Sequence, residues 1–276
     1  MVENKIAIDL GGTLLRVALV NKGKIKELIK KDTPQKKKEL KKELKDSVNQ
    51  ILSKVDKVKG IGISCIGPLN KGVIKNPPNL PFKKFKIEKF VKKEFNLPVE
   101  VENDANCAAL AEAKLGVKKD NFIVLTLGTG IGGGIIIENE LFRGQGEAGE
   151  LGHILLDEEK YFEDLASGKK IKKITKKKLG KEMLVKELID KKTEKSEEIL
   201  NQIAKYLGRG IASLINIFDP QVVVLAGGFR EGGKKFLKKI RENAKKYVLI
   251  DNKVKIKWSK LDEPGVLGAS LLLERI

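Results

Sequence analysis

Apolar positions along this chain fall into short runs broken by glycine, followed by longer stretches with helical period, and the same plan occurs twice. Residues 5–10 (KIAIDL) and 14–20 (LLRVALV) alternate or run apolar, which predicts two paired strands joined through Gly11 and Gly12. A short third strand is expected over 24–29. Over 35–55 the period changes: Leu40, Leu44, Val48, Ile51, Leu52 and Val55 form one stripe, predicting an amphipathic helix with lysines on its solvated face. Residues 60–68 (GIGISCIGP) read as a buried strand ending in a turn, and the proline-rich 76–81 segment as a loop. Val99 to Val101 predicts a short strand running into Glu102-Asn103-Asp104-Ala105-Asn106. A helix from Ala108 to Leu115 follows, stopped by Gly116.

The second half restarts the plan. A strand is expected over 121–127, then a glycine turn, a strand over 134–138, and a return at Glu140-Leu141-Phe142. A long helix from about 196 to 218 carries the stripe Ile199, Ile203, Leu207, Ile211, Leu214, Ile215 and Phe218. After Asp219-Pro220 comes the buried run 222–226, then Gly227-Gly228 and another helix. This recurrence of hairpin, helix and buried strand implies an internal duplication too diverged to show as identity. A length of 276 residues suits two medium α/β domains around a cleft.

Composition removes some function classes. The hydrophobic share of 41% is ordinary, and no apolar run approaches the roughly 20 residues that span a bilayer. The chain enters its first strand without a signal-like leader, so a soluble, cytoplasmic protein is expected. Its two cysteines, Cys65 in a buried strand and Cys107 in an alanine-rich helix, give neither a disulfide framework nor metal-ligand spacing. Lys+Arg 56 against Asp+Glu 37 gives +19, a balance that could attract nucleic acid, polyphosphate or acidic membranes. The lysines are spread over many helical faces among glutamates, however, and aromatic residues at 5% offer few stacking platforms. Neither a nucleic-acid nor a membrane partner is expected.

The candidate chemistry lies at the strand ends. Asp9-Leu10-Gly11-Gly12-Thr13 and Leu127-Gly128-Thr129-Gly130-Ile131-Gly132-Gly133-Gly134 both place bare backbone N–H groups and a threonine hydroxyl where an anion could sit. A glycine pair between strands is by itself an ordinary hairpin. Asp9 changes the first turn, because an acid there can hold the water shell of a phosphate-bound magnesium ion. The five glycines of the second turn exceed what a bend needs, which points to phosphate contact. Gly227-Gly228 could be a packing contact, a helix-terminal anion site or a shelf for an adenine ring. Asn103-Asp104 reads as a helix cap, with Asp104 also suited to accept a proton from a hydroxyl. The single histidine, His153, lies in a polar, glycine-rich segment with Glu147 and Glu150, and Glu163 follows; these are groups suited to the hydroxyls of a polyol.

Together these residues resemble the ROK family of sugar kinases, its glucokinases above all. The resemblance runs through DLGGT (9–13), IGPLNKGVIKNPPNLP (66–81), ENDANCAALAEAKLG (102–116), TLGTGIGGGIII (126–137), RGQGEAGELGH (143–153) and NIFDPQVVVLAGG (216–228). It implies the actin/hexokinase/Hsp70 superfamily fold, two ribonuclease-H-like α/β domains with ATP and sugar in the cleft. A small domain would take residues 1–114 and 266–276, a large one 115–265, with the last helix from about Val266. By matching position, Asp104 would be the general base toward a sugar hydroxyl at C6. Asn79, Asn103, Glu150, His153 and Glu163 would bind the other hydroxyls. Gly11, Gly12, Thr13, Gly128, Thr129 and Gly130 would surround the phosphates of ATP, Gly227 and Gly228 would border the nucleoside, and Asp9 would orient hydrated Mg2+. A homodimer is also implied.

Two positions depart from the family pattern. Members commonly carry a zinc held by a histidine and a CxCGxxGC cluster, whereas here His153 leads to Glu163 with no cysteine between, so no zinc is expected and His153 is free for the sugar. Leu14 stands where a polar residue usually follows GGT, which leaves the phosphoryl donor open between ATP and polyphosphate. Glucose, another hexose or an N-acetylhexosamine remain open as acceptor. A non-enzymatic sugar-binding regulator is the rival class; the family's repressors carry an added N-terminal DNA-binding domain, which is not expected here because the sequence opens directly on the kinase strand.

Overall fold

Strand β1 (Asn4–Leu10) pairs antiparallel with β2 (Leu14–Asn21) from Asn4↔Asn21 to Leu10↔Leu15, and β2 pairs in turn with β3 (Lys24–Asp32). The computed structural model describes residues 3–67, 69–70, 72–75, 77, 80, 82–249 and 254–275. Helix α1 (Lys37–Leu52) buries Leu40, Leu44, Ser47, Val48 and Ile51, the expected stripe shortened by its last turn. The fully buried β4 (Ile61–Cys65) lies parallel to β1. A small sheet of β5 (Leu69–Asn70), β6 (Val73–Lys75) and β7 (Lys84–Phe85) precedes α2 (Ile87–Phe95), which ends on Asn96 in the left-handed conformation. Then β8 (Val99–Asn103) joins β4 in parallel and leads directly into α3 (Asp104–Lys114). This helix starts four residues before the expected Ala108, because Asn103 caps it by accepting the N–H groups of Ala105 at 2.9 Å and Asn106 at 3.2 Å.

The second half contains β9 (Phe122–Leu127), β10 (Ile131–Ile137) and β11 (Glu140–Leu141). It continues with a 3-10 turn (Leu151–His153), a hairpin of β12 (Leu155–Asp157) and β13 (Lys160–Tyr161), and α4 (Phe162–Ala166). Then come α5 (Gly168–Leu179), α6 (Val185–Lys191), α7 (Glu194–Phe218), β14 (Val222–Ala226), α8 (Gly233–Lys245) and β15 (Lys255–Trp258). The last helix, α9 (Pro264–Leu271), begins two residues before Val266, with proline in its first turn where a missing N–H costs nothing.

The chain divides into two units. One comprises Met1–Val117, Arg143–Ala148 and Leu261–Ile276, the other Lys118–Phe142 and Gly149–Lys260. Their five-stranded sheets have the orders β3-β2-β1-β4-β8 and β11-β10-β9-β14-β15. Position by position these are one topology: two antiparallel hairpin steps, then two parallel neighbours. Each unit has its own apolar core, one around Ile6, Ile8, Leu40, Leu44, Ile63 and Phe85, the other around Leu125, Phe162, Ile203, Leu207, Val223 and Phe236.

In the first unit α9 packs against α3, β1 and β4. Glycine permits the close approach on both sides. A Cβ on Gly62 of β4 would lie 1.8 Å from the Ala269 carbonyl oxygen, and one on Gly268 would lie 1.8 Å from that of Cys107.

Candidate active site

In the first unit, β1, β4 and β8 end side by side, with Leu10 opposite Cys65 and Cys65 opposite Asn103. Ligands of open α/β sheets bind beyond such carboxyl ends, and the expected acids gather there. Burial pushes the Cys65 thiol well up, and the negative charges of Asp104, Glu102 and Asp9 add to the effect, so all three surround this one strand end. Cys107 is likewise buried with its thiol pushed up, consistent with a core role.

Asp9 is largely enclosed. Its Oδ1 accepts the Ser64 hydroxyl at 2.7 Å and its Oδ2 accepts Arg16 Nη1 at 3.1 Å. The strand register supplies both partners, since Asp9 lies opposite Arg16 on β2 and Ser64 on β4. Arg16 Nε turns to Glu263 at 2.7 Å, and Glu263 also binds Lys30. Burial raises the Asp9 carboxyl above its ordinary 3.8, Ser64 and Arg16 pull it back down, and Glu263 pushes it up again. Oxygen donors of this kind suit a magnesium ion that keeps its waters, because each carboxylate oxygen retains a free lone pair. Among the described residues no three His, Cys, Asp or Glu side chains gather into a metal cage.

The first glycine turn is held from below. Thr33 donates its N–H to the Thr13 carbonyl at 2.8 Å and its hydroxyl to the Gly11 carbonyl at 2.7 Å, while Gly12 is half-buried and Thr13 exposed.

At the β8–α3 junction, Asp104 is half-buried in the first turn of α3, one of its oxygens accepting the Ala105 N–H at 2.9 Å. Glu102 organises the surroundings. Its Oε1 accepts the Asn103 backbone N–H at 2.9 Å and the Asn106 side-chain amide at 3.1 Å, and its Oε2 pairs with Arg143 at 2.8 Å. Asn79, expected beside these groups, lies outside the described residues.

In the second unit the second glycine turn follows β9. Gly128 and Thr129 are exposed, and their carbonyls accept the N–H groups of Gly168 at 2.8 Å and Lys169 at 3.0 Å from the start of α5. Glu163 braces the other side, its Oε2 accepting the Ile131 N–H at 3.2 Å. The structure therefore places Glu163 against the phosphate-type turn. From Ile131 onward the glycine run belongs to β10, which starts three residues before the expected 134. The cause is packing: a Cβ on Gly133 would meet the Leu151 side chain at 2.5 Å, and one on Gly152 would meet the Ile131 carbonyl at 2.1 Å, so the segment holding Glu150 and His153 lies directly on the strand.

Gly227, at the end of β14, adopts φ +89°, and a Cβ there would lie 2.5 Å from the Leu127 carbonyl, so close packing requires glycine. Gly228 is exposed and opens a 3-10 turn (Gly228–Gly232), so α8 starts later than expected. Glu150 and His153 are about half exposed, with His153 Nδ1 3.4 Å from Glu150 Oε2.

Sequence reasoning missed Arg16, Ser64, Glu263, Arg143 and the Ser167-Gly168 start of α5. The first two could have been found from strand register alone. Glu263 and Arg143 reach their partners from distant parts of the chain and carry no local signal.

The model of the ROK family matches residues 5–276. A glucokinase of Streptomyces coelicolor is 30% identical over 289 residues, covering 90% of this chain and 89% of its own. A xylose repressor of Caldicellulosiruptor bescii is 31% identical over 303 residues, covering 95% of this chain and 76% of its own. Among solved structures, a ROK family glucokinase from Streptomyces griseus in complex with glucose and AMPPNP matches with a TM-score of 0.89 at 26% identity, over 99% of this chain and 100% of that one.

Proposed function

The chain belongs to the ROK family, with the two-domain fold of the actin/hexokinase/Hsp70 superfamily, and on that premise we propose that it is an ATP-dependent sugar kinase acting on the 6-hydroxyl of glucose or a related hexose. The observation that carries this reading is Asp104, a carboxylate on the first turn of a helix at the carboxyl end of a parallel strand, with Asn103, Glu102 and Arg143 fixing its backbone. The likeness to a glucokinase seen with glucose and AMPPNP supports the choice of substrates.

In the proposed reaction Asp104 accepts the proton of the attacking hydroxyl as its oxygen bonds to the γ-phosphorus and the bond to the β-phosphate bridge breaks. Asn79, Asn103, Glu150, His153 and Glu163 hold the remaining hydroxyls, with Glu163 also bracing the second glycine turn. Gly11, Gly12, Thr13, Gly128, Thr129 and Gly130 present N–H and hydroxyl donors to the phosphates. Gly227 and Gly228 border the nucleoside. Asp9 would hold hydrated Mg2+ through water, and that ion would supply charge neutralisation. Phosphoryl transfer is mostly alignment and electrostatics, so this set of groups suffices for it.

Incubation of the purified protein with ATP, MgCl2 and a panel of hexoses and N-acetylhexosamines, with ADP release followed by a coupled assay, tests the reading. Saturable, sugar-dependent turnover is expected, and no turnover with any sugar overturns it. The repressor relative favours one rival, a sugar-responsive regulator without turnover. Sugar binding in the same preparation without phosphoryl transfer would establish it.

A further inference from the structure

His153 is the single histidine of the chain, and packing alone does not immobilise it, because 54% of its side chain is exposed. Two neighbours flank the imidazole. Glu150 Oε2 lies 3.4 Å from Nδ1, and the Tyr161 ring stands edge-on to the imidazole, with centroids 5.4 Å apart and planes at 60°. That spacing and angle fall within the favourable range for tilted aromatic pairs.

Tyr161 is itself held by the β12–β13 hairpin. Its N–H donates to Asp164 Oδ2 at 3.2 Å, and the next residue, the fully buried Phe162, donates its N–H to the Ile154 carbonyl at 2.8 Å. Leu155 is the cross-strand partner of Tyr161, so these two side chains share one face of the hairpin. Ile154 immediately follows His153 in sequence, so the hairpin that carries the Tyr161 ring is anchored one residue from the imidazole. A two-residue turn, Glu158-Glu159, is all that separates the strands, and the same hairpin delivers Glu163 at the start of α4.

We propose that Tyr161 is a positioning residue for His153, its ring holding the imidazole with Nδ1 toward Glu150 so that Nε2 is the atom offered to a substrate hydroxyl. In the neutral imidazole a proton on Nδ1, facing the carboxylate, leaves Nε2 as the acceptor. A ring free to turn would divide its time between orientations and offer that acceptor only part of the time. The inference rests on His153 being a sugar ligand in the function proposed above. It assigns the hairpin a duty toward that ligand, the fixing of one ring by another.

Nuclear magnetic resonance of the lone histidine tests this without assignment ambiguity. In the wild-type protein, nuclear Overhauser effects are expected between the Tyr161 and His153 ring protons, together with 15N shifts of an imidazole protonated at Nδ1. Tyr161→Leu keeps an apolar residue on the hairpin but removes the ring. It is expected to move the His153 ring resonances toward those of a free imidazole and to raise the KM for glucose several-fold while kcat stays near wild type. Tyr161→Phe is expected to retain the resonances and the KM. Absence of the inter-ring effect in the wild type, His153 resonances unchanged in Tyr161→Leu, or a Tyr161→Phe variant as impaired as Tyr161→Leu would each overturn the proposal. The wild-type measurement needs no variant to fold. Lack of kinase activity would count against the proposed function and leave the resonances as they are, so the two failures read differently.

Discussion

Glu102 and Arg143, 41 residues apart in sequence, are joined at 2.8 Å. The same carboxylate, on a side chain only 11% exposed, accepts the Asn103 N–H and the Asn106 amide. Hydrogen bonds to a charged group are typically worth about 1.5–3 kcal/mol when one partner is lost. Glu102→Ala is therefore expected to lower unfolding free energy by about that amount. Turnover should fall with it, because the backbone that carries Asp104 loses its anchor. Urea denaturation measures the first effect, and an unchanged midpoint would show that Glu102 is dispensable.

For Asp104→Asn the expected loss is about 10²–10⁴ in turnover, the usual weight of a general base, with sugar affinity largely kept. Steady-state kinetics alongside calorimetric binding separate the two quantities. A variant turning over at close to the wild-type rate would remove Asp104 from the mechanism.

The raised carboxyl of Asp9 makes a statement about stability and pH. A folded-state value above the unfolded 3.8 means that the folded protein holds this proton more tightly. The contribution to stability is then fully present below 3.8 and is lost as pH rises through the folded value. Asp9→Asn cannot titrate, so its stability relative to wild type should climb across that same window and then level off. Thermal unfolding of both proteins over a pH series reads this difference, and parallel curves would contradict it.

Gly268→Ala places a methyl group where the Cys107 carbonyl oxygen already lies. Overpacking of this kind commonly costs about 1–3 kcal/mol, and here the obstacle is backbone, which yields poorly. A reduced melting temperature is expected, whereas a neutral result would mean that α9 can shift away from α3.

Much of this architecture can be read from the sequence because local pattern and tertiary burial agree. The stripe over 35–55, the apolar run at 222–226 and the hairpin around Gly11 each report a face that the structure buries. The 131–137 strand starts three residues earlier than its hydropathy pattern predicts, because glycine carries no hydropathy signal, and what makes glycine necessary at Gly133 is the Leu151 side chain, 18 residues away. Asn103 caps α3 as its sequence position predicts, and the helix extends back from the expected Ala108 to Asp104 because that cap satisfies the N–H groups of Ala105 and Asn106. The β12–β13 hairpin lies in a stretch of mixed charge with no period to detect, and Tyr161 becomes interpretable only once the His153 ring is seen beside it.

The placement of α9 constrains how the protein is made. Residues of the second unit leave the ribosome as a nearly continuous stretch and can fold as soon as β15 has emerged, whereas the first unit has to wait for the helix that covers β1, β4 and α3. Until residue 271 is synthesised, the notch at Gly62 and the alanine-rich face of α3 stay uncovered, so the half of the protein translated first is the half completed last.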